Sequence, residues 1–192
     1  RVAQLADWAV EGSCVLGAGS FARVLSQGAP PILALATPLA LGLAVGLAVA
    51  WIQRANHISP LIAGILALFM LYSVNLFVMG RPNIGIYEQR SLLSPWLEQE
   101  GVFWSILGAV VFLSTFLLGC FMRSTRGLIL RAWGNQPDLV GRMGHSVEGY
   151  RCLALGVSNT LAAFAGVWAV EVNRYADVHM GFGMALTAIT TV

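Results

Sequence analysis

Four stretches of this chain, residues 30–52, 58–79, 101–122 and 152–170, contain no charged residue and are almost wholly apolar. Each reaches or approaches the roughly 20 residues that a helix needs to cross a bilayer. In hydrocarbon every backbone N–H and C=O has to be satisfied within the segment, so runs of this kind are read as spanning helices. The expected fold is an all-α polytopic membrane protein, a bundle of transmembrane helices. Function has to be sought where the apolar pattern is interrupted.

Composition supports this reading. Charged residues are 10% and hydrophobic residues 57% of the chain, against roughly 25% and 45–50% in soluble domains. All eleven Lys+Arg residues are Arg. Without Lys, a phosphate-binding loop of the G-x-x-x-x-G-K-[ST] kind cannot be built, so any ATP that drives this protein is hydrolysed by another chain. The Arg residues are spread over short loops, which gives no footprint for nucleic acid. Cys14, Cys120 and Cys152 lie in or beside apolar segments without C-x-x-C spacing and read as small packing residues. His57, His145 and His179 fall in three separate loops, which argues against a shared metal. The chain opens on Arg1 and closes inside an apolar stretch; it reads as an internal piece of a longer protein, so the lack of a signal peptide carries no meaning.

Loop charges set an orientation. Residues 123–151 hold five Arg against Asp138 and Glu148, so this segment is cytoplasmic by the positive-inside rule. Alternation places 80–100 outside, with Arg81 and Arg90 against Glu88, Glu98 and Glu100. Residues 53–57 are then cytoplasmic, and 171–179 external. A first helix, about 8–25, runs outward. Gly42 and Gly46 form a G-x-x-x-G pair and Gly17-Ala-Gly19 lies in the first helix; such residues allow close backbone approach. Leu92-Leu93 and Trp96-Leu97 suit a short amphipathic helix on the membrane surface, beside the interfacial rings of Tyr87, Phe103 and Trp104.

Two places break the pattern. The first is Arg131-Ala-Trp-Gly-Asn-Gln-Pro-Asp-Leu-Val-Gly-Arg-Met-Gly144. Here Gly134 suits a helix C-cap, Asn135 an N-cap, Pro137 a first turn, and Gly144 a stop. Asp138 suits the positive end of the helix dipole. Leu139, Val140 and Met143 share a face by i, i+1, i+4 spacing. A short capped helix with an apolar face and flanking Arg is a shape that docks in a groove of another protein; an interfacial loop touching lipid headgroups is the plainer alternative.

The second is Leu5-Ala-Asp-Trp-Ala-Val-Glu-Gly-Ser13. Asp7 and Glu11 are four apart and share a helix face. Carboxylates at membrane depth are costly unless paired or in a watery cavity, which points to a solute route; a position just outside the hydrocarbon is equally open. Tyr175-Ala-Asp-Val-His-Met-Gly-Phe-Gly183 repeats the Ala-Asp…Gly pattern on the opposite side of the membrane, as expected of inverted repeats with broken helices. Candidate pathway residues are Asp7, Glu11, Ser13, Tyr72, Asn75, Asp177, Gly181 and Gly183. Tyr72, Ser73, Asn75, Ser158 and Asn159 serve equally well as interhelical hydrogen-bonding groups.

At these residues the chain resembles the permease subunit of a bacterial ABC-type importer, in the uncharacterised-permease branch of the branched-chain amino acid/ribose permease superfamily. The resemblance covers nearly the whole chain. It is carried by Asp7-Trp-Ala-Val-Glu-Gly-Ser13 with Leu16-Gly-Ala18, by Ile58-Ser-Pro-Leu-Ile-Ala-Gly-Ile65 through Leu71-Tyr-Ser-Val-Asn-Leu76 and Met79-Gly-Arg-Pro-Asn83, by Arg131-Ala-Trp-Gly-Asn-Gln-Pro137, and by Ala176-Asp177 through Met180-Gly-Phe-Gly-Met184. Glu11, Trp133 and Gly144-His145 depart from the usual pattern. The resemblance implies a single transmembrane permease domain over 1–192 in the bacterial cytoplasmic (inner) membrane, lacking the family's first and C-terminal helices. It implies a second permease copy, two ABC ATPase subunits that bind ATP and Mg, and an external solute-binding protein, with no cofactor in this chain. It implies that 131–144 contains the coupling helix, and that the solute is amino-acid-like. Without the resemblance, a gradient-driven secondary transporter or channel is the competing reading, disfavoured because the four clear spans lack ionisable residues. A structural membrane subunit is a third reading. No nucleophile–base set or metal cluster marks the chain as an enzyme.

Overall fold

The uncharged runs are helices. The computed structural model describes residues 7–54, 60–87, 91–96, 99–144 and 146–182. The helices are α1 (Ala9–Ser26), α2 (Pro31–Arg54), α3 (Pro60–Met79), α4 (Glu100–Arg123), α5 (Thr125–Asn135), α6 (Pro137–Arg142) and α7 (Val147–Asn173). Two short strands, β1 (Asn83–Gly85) and β2 (Tyr175–Asp177), complete the elements together with a 3-10 turn at Ser94–Trp96. α2, α3, α4 and α7 are long and apolar enough to cross a membrane. Three of the helices start on Pro, whose fixed φ and missing N–H cost nothing in a first turn. Pro38 lies inside α2 and deprives the Ala34 carbonyl of its helical donor; the Thr37 hydroxyl donates to that oxygen instead, at 3.1 Å.

The described residues group into two compact bodies, one within 93–154 and the other within 7–92 and 155–182. In the second body α1 is the enclosed helix, with nearly every residue from Ala9 to Ala22 buried. It is less apolar than the four spans because protein, not lipid, surrounds it. α2 and α3 instead turn Ile32, Trp51 and Phe77 outward, at 75–88% exposure, as lipid-facing side chains do. Gly12 of α1 stands beside Leu71 and Gly19 beside Met79, so α1 and α3 run in parallel. Gly42 faces Asn159–Thr160 and Gly46 faces Leu155–Gly156, so α2 runs against α7. A Cβ on Gly46 would stand 2.6 Å from Gly156 Cα; the G-x-x-x-G pair is the close-packing surface its spacing suggested. The alternating directions agree with those read from loop charge.

β1 and β2 pair antiparallel, with Ile84 opposite Ala176. They close a core that includes Phe21, Leu25, Met79, Ile86, Val167 and Val170. Arg174, just after α7, has φ 66°, a region that is costly for a non-Gly residue. Its guanidinium offsets that cost by donating to Ser91 Oγ at 2.7 Å and to Ile86 O at 3.0 Å. The fully buried Glu171 accepts from the Leu92 N–H at 3.1 Å. These contacts tie the loop after α3 to the end of α7. Leu92 and Leu93 do not form the surface helix expected of them: Leu93 is buried and only the short 3-10 turn follows.

In the first body the basic segment holds more helix than expected. Ser124 caps α5, its Oγ accepting from the Gly127 N–H at 3.3 Å. The spacing predicts one short helix here; the Ser124 cap starts another before it. α4 exposes Trp104, Phe112 and Phe116, and its Ser105, Ser114 and Thr115 hydroxyls all return to its own backbone carbonyls, which suits a helix in an apolar medium.

Candidate functional site

Gly12 pairs with Leu71, so the first residue of α1 lies level with about Leu68 of α3. α3 extends from there back to Pro60, about 12 Å at 1.5 Å per residue. α1 therefore starts inside the span and not at its edge. Asp7 marks this start. Its Oδ1 accepts from the Ala9 N–H at 3.0 Å, which places its carboxyl group at the positive end of the helix. Its Oδ2 accepts from Asn159 Nδ2 at 2.8 Å. Asn159, fully buried on α7, also donates to Leu155 O at 2.9 Å and accepts from Ser13 Oγ at 2.5 Å. Asp7 and Ser13 are thus satisfied by one amide on a neighbouring helix, the arrangement that buried polar groups require.

Beside this latch lies a cavity of about 260 Å³. α1 contributes Glu11, Gly12 and Val15, and the middle of α3 contributes Leu68, Phe69, Tyr72 and Asn75. The remaining wall is the turn after β2, through Val178, His179, Gly181 and Phe182. Glu11 is 4% and Asn75 2% exposed. Asn75 Nδ2 donates to Gly12 O at 3.2 Å, while its Oδ1 is buried with no hydrogen-bond partner among the described residues. The His179 ring lies 5.9 Å from Tyr72 and 6.0 Å from Phe182, centre to centre.

The turn that forms this wall is not helical. Asp177 Oδ1 accepts from the His179 N–H at 2.7 Å, the same two-residue reach that Asp7 makes to Ala9. The two Ala-Asp stretches singled out in the sequence thus share one local device. Asp177 also accepts from Asn83 Nδ2 at 3.4 Å. Gly181 then comes down against α1: a Cβ there would stand 2.6 Å from Glu11 O and 2.6 Å from Val15 Cγ2. Irregular backbone at membrane depth is tolerated where it is buried in protein or lines a cavity, and this turn does both.

Of the eight pathway residues expected from sequence, Glu11, Tyr72, Asn75 and Gly181 meet at the cavity. Asp7 and Ser13 belong to the adjoining latch, and Asp177 starts the turn. Gly183 lies outside the described residues. His179 and Phe182 were passed over. Their signal was the pattern Asp-x-His-x-Gly-Phe, which an Asx turn brings to one point. Asn159, read only as a general interhelical group, is the hub of the latch.

The proposed docking segment needs correction at three positions. Gly134 is helical and Asn135 is the last residue of α5, whose cap is Gln136; neither plays the capping role expected. Val140 is fully buried and packs with Leu130 and Trp133, among Val147, Tyr150 and Leu153. It holds α6 to its own neighbours and presents nothing to a partner. Met143 is 65% exposed, and Arg131 and Arg142 are also exposed. Pro137 does open α6, the Leu139 side chain lies outside the described residues, and Gly144 ends the segment at φ 81°. Among the described residues no group of three or more His, Cys, Asp or Glu could hold a metal ion.

The family model described as branched-chain amino acid transport system / permease component matches residues 1–192. An uncharacterized protein of Rickettsia prowazekii (strain Madrid E) is 39% identical over 197 residues, covering all of this chain and 67% of that protein. A tyrosine transport system permease protein of Clostridioides difficile (strain R20291) is 28% identical over 192 residues, covering all of this chain and 64% of that protein. No solved structure matches the chain significantly.

Proposed function

Because the chain belongs to the family of permease components of branched-chain amino acid transport systems, a family of transport subunits and not of enzymes, we propose that it forms the membrane path of an ATP-driven importer for an amino-acid-like solute. It is a multi-pass protein, consistent with the cytoplasmic membrane of a bacterium. The observation that carries the proposal is the mid-span cavity walled by the start of α1, the middle of α3 and the non-helical turn through Gly181. A helix that begins within the span, facing a turn that dips to meet it, is the local architecture of solute sites in transporters. The name of the Clostridioides relative supports an amino-acid-like solute.

ATP and Mg are bound in this account by separate ATPase subunits, and the exposed part of 131–144 around Arg142 and Met143 takes the coupling role. A second permease copy and an external solute-binding protein complete the assembly. Glu11 is a buried acidic residue in α1, and it is the feature that a gradient-driven transporter would use. Reconstitution of the full-length protein with its genomic neighbours separates the two readings. Uptake of labelled tyrosine that needs ATP and a co-purifying ATPase supports an importer. Uptake driven by an ion gradient alone replaces it with the secondary transporter.

A further inference from the structure

An open groove of about 460 Å³ runs between α2 and α7 in the second body. Leu39, Ala40 and Leu43 of α2 stand on one side, and Gly156, Thr160 and Leu161 of α7 on the other. Its only hydroxyl among the described residues, on Thr160, donates to Gly156 O within α7 at 2.7 Å. Both helices are long and apolar enough to cross a membrane, so hydrocarbon and not water bathes this groove. Steps of four residues along α2 continue the stripe from Leu39 and Leu43 to Leu47 and Trp51, both exposed, and the exposed Arg54 ends it. The groove lies about 16–22 Å along α2 from Arg54, at 1.5 Å per residue. Half a bilayer, headgroups included, is about 20–22 Å. An indole suits the headgroup boundary, and a guanidinium suits a phosphate. Another helix fits less well. Helices meet in a membrane through small residues, and Gly42 and Gly46 are already taken up by α7. The leucines that border the groove hold a further backbone away.

We infer that α2 and α7 form a site for one anionic phospholipid of the leaflet at the Arg54 end, with an acyl chain in the groove over Gly156 and the phosphate on Arg54 beside Trp51. The site shares no residue with the cavity between α1 and α3, and the inference goes beyond the permease reading without depending on it. A chain seated there packs on the turn of α7 that also carries Asn159, so the lipid supports the α2–α7 contact on which the latch stands.

The test titrates full-length, delipidated permease in detergent with dioleoyl phosphatidylglycerol or dioleoyl phosphatidylcholine and counts bound lipid by native mass spectrometry. The two lipids share their chains and differ in headgroup charge. One phosphatidylglycerol should bind ahead of all further lipid, about fivefold tighter than phosphatidylcholine, which is the worth of one Arg at an anionic surface. Glycerol phosphate, which has the phosphate without the chains, should not displace it. Arg54→Gln should bring the two lipids level. Ala40→Phe fills the groove from an exposed position; it should weaken both lipids by about tenfold or more and leave the unfolding temperature of the lipid-free protein unchanged. Equal affinity for the two lipids in the wild type, displacement by glycerol phosphate, or unchanged lipid binding in both folded variants overturns the inference. So does an Ala40→Phe protein that loses a subunit while its lipid count stays the same, which would give the groove to a second copy of the chain.

Discussion

Gly181 sits against the carbonyl oxygen of Glu11, close enough that a methyl group on Gly181 would stand 2.6 Å from it. One residue belongs to the turn after β2 and the other to the first turn of α1, so the contact joins two interruptions of the helical pattern at the middle of the span. Gly181→Ala should push the turn off α1 and reduce solute uptake. Gly181→Leu, a larger group at the same buried position, should abolish it. Uptake measured alongside the amount of complex checks both; normal uptake in Gly181→Leu contradicts the placement of the turn.

The latch on Asn159 predicts a stability effect. Asn159→Leu leaves Asp7 Oδ2 and Ser13 Oγ without their shared partner. Thermal unfolding in detergent should report a loss of about 1–3 kcal/mol for each polar group left unpaired. Ser13→Ala with Asn159→Leu should cost less than the two single losses added, since the pair acts as a unit.

The spans were legible because twenty uncharged residues have one solution in lipid, and the Gly42–Gly46 contact because small residues four apart face one way. Gly144 was legible as a stop through its need for a positive φ. The burial of Val140 was not: i, i+1, i+4 spacing reveals an apolar face but not whether that face meets a partner or Leu130 and Trp133 of the same chain. The β1–β2 pair joins residues about ninety positions apart, and no local pattern announces such a contact. His179 escaped because its place at the cavity depends on the turn that Asp177 starts.

The buried position of Val140 gives the coupling segment two separable variants. Val140→Asp places a charge in the apolar cluster of α5, α6 and α7, and should destabilise this body by several kcal/mol, lowering the yield of folded protein. Met143→Asp changes an exposed side chain and should leave folding intact while reducing the amount of ATPase that co-purifies. Equal ATPase recovery in Met143→Asp and wild type would remove 131–144 from the coupling role.

Orientation is tested by thiol labelling in a background lacking Cys14, Cys120 and Cys152. Gln136→Cys, at the exposed cap of α5, should react with a membrane-impermeant reagent only from the cytoplasmic side. Tyr87→Cys, 69% exposed in the loop after β1, should react only from outside. The opposite pattern would invert the topology.

The most direct measurement of the central claim, that solute passes through the cavity between α1, α3 and the turn at 178–182, is substituted-cysteine block of transport. Phe182→Cys in the Cys-free complex, treated with a bulky thiol reagent, should lose tyrosine uptake, and excess tyrosine should slow the reaction. Ile32→Cys, exposed on α2 away from the cavity, should react without effect on uptake. Full uptake by completely modified Phe182→Cys complex would contradict the account.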